Sequence, residues 1–106
     1  PLTSVPEAKQ SDDKTILYDN IPNPFNNSTQ ITYELAESTK INLSVYDIQG
    51  KLIKVLVDKE LNEGRHSVIW DGSNIHGSKI MNGTYFYRLS TADGCVEMKK
   101  MIKLDN

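Results

Sequence analysis

Apolar and polar residues alternate with a period of two along most of the chain. In Thr29–Leu35, Ile31, Tyr33 and Leu35 point one way while Gln30, Thr32 and Glu34 point the other. Ile41, Leu43 and Val45 repeat the pattern against Asn42, Ser44 and Tyr46. His66, Val68 and Trp70 share a face opposite Ser67 and Ile69, and Tyr85, Tyr87 and Leu89 share one opposite Thr84, Phe86 and Arg88. Period two is the pattern of a strand with one buried face. Ile16 to Tyr18 adds a short first strand, and Cys95 to Leu104 a last one. Lys51 to Val57 does not alternate and fits a buried strand or a short helical turn; its Val and Ile content favours strand. Between these runs lie clusters that turn the chain: Asn20 to Asn27, Glu37 to Thr39, Asp47 to Gly50, Asn62 to Gly64, the long Asp71–Gly83 loop, and Ala92 to Gly94. About seven strands joined mostly by hairpin-length loops predict an all-β, immunoglobulin-like antiparallel sandwich. Its expected core is Ile31, Tyr33, Leu43, Val45, Val68, Trp70, Tyr85, Tyr87 and Leu89.

The first fourteen residues break this pattern. PLTSVPEAKQSDDK holds two prolines, five charges and no apolar period. Such a stretch buries too little to offset its ordering entropy, so residues 1–14 are expected to form a flexible linker and residues 15–106 the domain. A start at Pro1, without a signal-peptide pattern, is expected of a fragment or processed form.

Composition narrows the function. Lys and Arg number 12 against 14 Asp and Glu, a net charge of −2 over 106 residues. That balance argues against nucleic acid, where a basic face is expected. No apolar run is long enough for a transmembrane segment. Cys95 is the single cysteine, so no intrachain disulfide supports the fold.

Candidate chemistry is sparse. His66 and His76 have no metal-ligand or triad motif around them, and Cys95 has no neighbouring base, so no catalytic residue, metal ligand or cofactor site is assigned. Asp71-Gly72-Ser73-Asn74-Ile75-His76-Gly77 places oxygen side chains at alternate positions before a Gly, faintly like a calcium loop, but lacks the third acidic ligand and a closing Glu; an Asx turn is the better reading. Trp70, Tyr85, Phe86 and Tyr87 raise a sugar-stacking platform, yet their phase puts all but Phe86 in the core. Lys99, Lys100 and Lys103 crowd the last strand. Lysines there protect an edge from unwanted pairing, or, with Met101, Ile102 and Leu104, present a docking strip whose free backbone a receptor strand joins.

Five segments taken together resemble a known family. Ile21-Pro22-Asn23-Pro24-Phe25-Asn26 is similar to the YPNPFN opening of the type A C-terminal sorting domain of the type IX secretion system. Val45 to Lys51, with Tyr46, Asp47 and Gly50, resembles its VYDxxGK hairpin. Gly64 to Gly72, ending Trp70-Asp71-Gly72, resembles GxHxxxWDG, and Gly83 to Leu89, with Tyr85, resembles GxYFYRL. Lys99 to Leu104 resembles the basic-apolar ending. The same pattern occurs in the immunoglobulin-like domain of the flagellar hook-capping protein. The resemblance implies a non-enzymatic sorting and surface-anchoring module of a larger secreted bacterial protein, carried through the periplasm to the medium or cell surface. Its implied partners are the outer-membrane secretion machinery, a cell-surface sortase that cuts the preceding linker, and an upstream cargo domain. The alternative is a structural or carbohydrate-binding accessory sandwich of a secreted multidomain enzyme.

Overall fold

The computed structural model describes residues 14–105, and the linker expected at 1–14 lies outside them except for Lys14. Seven strands follow in order: β1 (Ile16–Leu17), β2 (Thr29–Leu35), β3 (Thr39–Asp47), β4 (Leu52–Leu61), β5 (Gly64–Trp70), β6 (Gly83–Thr91) and β7 (Val96–Lys103). They form two antiparallel sheets, β1-β2-β5 and β4-β3-β6-β7, as an all-β sandwich with no helix among the described residues. Among the described residues no helix is therefore long and apolar enough to cross a membrane.

Alternation becomes burial strand by strand. Ile31, Tyr33 and Leu35 of β2 face Ile41, Leu43 and Val45 of β3 and Tyr85, Tyr87 and Leu89 of β6, all buried. Trp70 closes one end of this layer, and Val68 is only half-buried because β5 is an edge strand of the smaller sheet. Burying each of these large side chains contributes roughly 1.5–3 kcal/mol.

The ambiguous segment is the start of β4, which runs on to Leu61. Its pairing with β3 slips twice: Leu43 pairs with Val57 and Ser44 with Val55, then Val45 with Lys54 and Tyr46 with Leu52. Leu56 and Ile53 are the extra residues, and both pack against the core with Val57 and Leu61. Two bulges thus place apolar residues three apart on one face of a strand, a spacing that alternation alone would not give.

Tyr87 joins the sheets: its hydroxyl donates 2.7 Å to the Tyr18 carbonyl just beyond β1. Burial pushes its phenol up to about 12 from 10.0, partly offset by the Asn20 backbone. A raised pKa favours the folded state fully below pH 10.0, and that contribution is lost as pH rises toward 12. Stability is expected to fall by on the order of 2–3 kcal/mol across this range. Urea unfolding at stepped alkaline pH checks it; Tyr87→Phe should remove most of the loss, and an equally steep loss in that variant would assign it to other groups.

Candidate functional site

Strands β2 and β5 meet with Thr29 opposite Trp70, while β3, β6 and β7 meet with Asp47 opposite Tyr85 and Gly83 opposite Lys103. The PNPFN segment, the end of VYDxxGK, the WDG turn, the start of GTYFYRL and the end of the lysine-rich strand therefore gather at one pole of the sandwich.

The Pro22–Asn26 loop is tied down from both sides. Asn20 donates from Nδ2 to the Thr29 hydroxyl at 3.0 Å and to the Pro22 carbonyl at 3.2 Å, and Thr29 itself donates to that carbonyl at 2.9 Å. On the other side the loop clasps β7. The Ile102 N–H donates to Asn23 Oδ1, the Phe25 N–H to the Ile102 carbonyl, and the Leu104 N–H to the Phe25 carbonyl, each at 2.9 Å. Phe25 is 1% exposed, as an anchor requires. Its ring lies 5.5 Å from that of Trp70, tilted by 52°. The Trp70 indole N–H donates 3.0 Å to the Ser73 carbonyl, so the polar edge of this core residue is satisfied.

The WDG turn completes the cluster. The Asp71 carboxylate accepts from the Ser73 N–H at 3.0 Å and the Ser73 hydroxyl at 2.6 Å. The Ser73 hydroxyl is the first of the causes that hold its carboxyl below the usual range. Asn74 Oδ1 accepts from the His76 and Ser78 N–H groups. Two nested Asx turns thus occupy the oxygens that suggested a calcium loop. Among the described residues no three His, Cys, Asp or Glu side chains gather as a metal site. Gly72, at φ +76°, passes so close to the cluster that a Cβ there would stand 3.5 Å from both Lys103 Cε and Phe25 Cε2.

The lysine strip is where the structure departs most from expectation. Lys99, Lys100 and Lys103 do not form one exposed row. Lys103 is 2% exposed, with its ammonium 5.9 Å from the Phe25 ring centroid and paired with the Asp105 carboxylate. Met101 is fully buried, whereas Lys100, Ile102 and Leu104 are exposed. Lys99 is intermediate and lies 3.1 Å from Asp19, which joins β7 to the segment after β1. The cause is the strand's own alternation: positions 101 and 103 fall on the inner face, and the long stem of Lys103 packs there while its charge reaches the end of the sheet. From sequence, Asn82, Asp105, Asn20 and Thr29 carry no expected role in holding this pole together. Asn82 Oδ1 accepts from the Asp105 N–H at 3.0 Å, and nothing in a polar loop residue signals such a partner.

Trp70, Tyr85 and Tyr87 are buried, so they offer no sugar platform. Tyr46 and Phe86 stand opposite each other and half-buried on the outer face of the larger sheet. Cys95 is intermediate in exposure, and burial pushes its thiol up, away from nucleophilic reactivity.

A family model described as the secretion system C-terminal sorting domain matches residues 20–104. Curated relatives include the basal-body rod modification protein FlgD of Escherichia coli, 29% identical over 72 residues, covering 67% of this chain and 31% of that protein. The FlgD of Salmonella typhimurium is 27% identical over 59 residues, covering 56% and 25%. The chain thus spans a quarter to a third of these relatives. Among solved structures, dimeric latent PorU from Porphyromonas gingivalis superposes with a TM-score of 0.72 at 22% identity, over 87% of this chain and 9% of that one. PorZ, an essential surface component of the type-IX secretion system of the same organism, gives 0.59 at 14% identity over 93% and 12%. FlgD from P. aeruginosa gives 0.58 at 22% identity over 76% and 64%. These structures share the fold, including the flagellar relationship expected from the motifs. With 20–104 matched end to end, the chain belongs to the family of secretion system C-terminal sorting domains, and the protein that carries it is secreted or displayed at the cell surface.

Proposed function

We propose that this domain is a non-catalytic address read by the outer-membrane type IX machinery, and that a cell-surface sortase then releases the upstream cargo by cutting ahead of Thr15. The observation that supports this reading is the gathering of the motif segments around the end of β7 at one pole. Chemistry is not what these residues are arranged for: their polar groups bond to one another and to backbone, leaving a stiff surface with a defined strand end. Lys99 and Lys100 are the charges a receptor meets; Lys103 holds the strand end in place.

A reporter behind a signal peptide and ahead of the domain tests this in a host that has the translocon. The intact domain is expected to send the reporter to the surface or medium, and removal of residues 99–106 to trap it in the periplasm. Because that deletion also takes away buried Met101 and Lys103, point variants separate recognition from folding. Lys99→Gln with Lys100→Gln should keep the fold and lower export. Lys103→Met keeps the packed stem, and the Asp105 carboxylate it leaves without a partner is open to water, so export should persist. An intact domain that leaves the reporter in the periplasm sinks the sorting reading.

A further inference from the structure

The outer face of the four-stranded sheet carries a groove of about 340 Å³ walled by Tyr46, Ile48, Phe86, Arg88 and Met98. Register explains its composition. Tyr46 stands opposite Phe86 and Phe86 opposite Lys100, while Arg88 stands opposite Met98 one step along. The hairpin loop that forms one wall is rigid, because the Asp47 carboxylate accepts from the Gln49 and Lys51 N–H groups at 2.9 Å. That carboxylate is turned into its own loop. Arg88 and Lys100 form no ion pair among the described residues. The groove is thus aromatic and thioether in its walls and cationic at its border.

Beside the groove runs the edge of β7. In an antiparallel pair, alternate residues turn their N–H and C=O away from the partner strand. On β7 these include Met98, Lys100 and Ile102, since Ile102 bonds outward to Asn23 and Phe25. The Pro22–Asn26 loop therefore closes the edge at Ile102 and Leu104. Among the described residues, nothing bonds to the outward groups of Met98 and Lys100. A pairing window and an apolar, cation-bordered groove lie side by side, sharing Met98.

We propose that this window and groove together bind an extended acidic segment of a partner polypeptide. Its backbone adds to β7 at Met98 and Lys100. An aromatic side chain opposite Met98 points along that row toward Arg88, and a carboxylate two residues along, opposite Lys100, meets its ammonium beside Phe86. A strand so added stands about 4.8 Å beyond β7, within reach for a phenyl ring. The peptide is favoured over a lipid because an acyl chain has no use for the free backbone groups, whereas strand addition uses both features at once. This inference rests on the sorting reading, in which the segment belongs to the export receptor.

The test titrates the 106-residue chain with the peptide acetyl-Thr-Glu-Thr-Phe-Thr-Glu-Thr-amide, followed by amide NMR. Shift changes are expected at Phe86, Arg88, Met98 and Lys100, with slowed hydrogen exchange at the Met98 and Lys100 amides. Met98→Pro removes one free outward N–H at an edge position, where proline is tolerated, and is expected to weaken binding roughly tenfold with the melting temperature kept. Arg88→Gln with Lys100→Gln, or Lys for Glu in the peptide, should weaken it as much. No shift at about 1 mM peptide, or equal binding of the Lys peptide, overturns the inference. So does a response of the same amides to phosphatidylglycerol vesicles but not to peptide, which would assign the face to a membrane. If the intact domain exports the reporter but the peptide fails to bind, the groove inference alone falls. If export fails, the sorting reading falls whatever the peptide does.

Discussion

Trp70→Ala is expected to lower the stability of the domain by about 3–5 kcal/mol, the range for emptying a buried aromatic site. Trp70 sits at the end of β5 with its indole among Phe25 and the WDG turn, and it is 2% exposed. Alanine leaves a cavity that the clasped Pro22–Asn26 loop and the Gly72 turn are too constrained to collapse into. It also leaves the Ser73 carbonyl without its 3.0 Å donor. Small domains hold only about 5–15 kcal/mol in total, so most of the margin goes. Urea unfolding followed by far-UV dichroism measures it. A midpoint within experimental error of the parent would mean that Trp70 does not fill the core.

Phe25→Ala is expected to cost a similar ~3–5 kcal/mol, with a different local signature. Phe25 acts through its ring, packed against Trp70 and the Lys103 stem, and through its backbone, which bonds to Ile102 and Leu104. Alanine keeps the backbone groups but removes the weight that holds them against β7. Amide exchange at Ile102 and Leu104 should therefore quicken well beyond what the global loss predicts, since local opening becomes the easier route. If exchange there rises no faster than at Leu43, the loop is held by its polar bonds alone and the ring only fills space.

The strands with one buried and one open face were legible in the sequence, because β2 and β6 translate alternation directly into burial, and β3 does so except at Ser44, which is buried between Leu43 and Val45 where the pairing with β4 slips. β4 was not, since its two bulges shift the phase and turn period two into spacings of three. Lys103 was misplaced for a related reason. A lysine is read as exposed by its charge, yet here the strand's phase sets its direction and its stem is long enough to be buried while its ammonium finds Asp105. The motifs could be recognised one by one, but their meeting at one pole depends on which strands are neighbours in each sheet, and a local pattern carries no information on that. The clasp of Asn23 and Phe25 on β7 joins positions 79 residues apart in sequence.

The chain enters the described fold at the pole opposite to the motifs, where Thr15 accepts the Ala36 N–H beside the β2–β3 turn, and it leaves past Leu104 at the motif pole. Entry and exit are separated by the length of the strands, roughly 25–30 Å at 3.3 Å per residue. Under the proposed sorting function, tension between a cargo on one side and a machine holding β7 on the other would therefore run along the strands. Ladder hydrogen bonds lie perpendicular to that direction, so the β6–β7 rungs are loaded together, in shear, instead of parting one after another. A domain threaded the same way but with both ends at one pole would unzip under the same pull. In the sorting reading, the topology makes the address a mechanical fastener, able to stay folded while it is hauled.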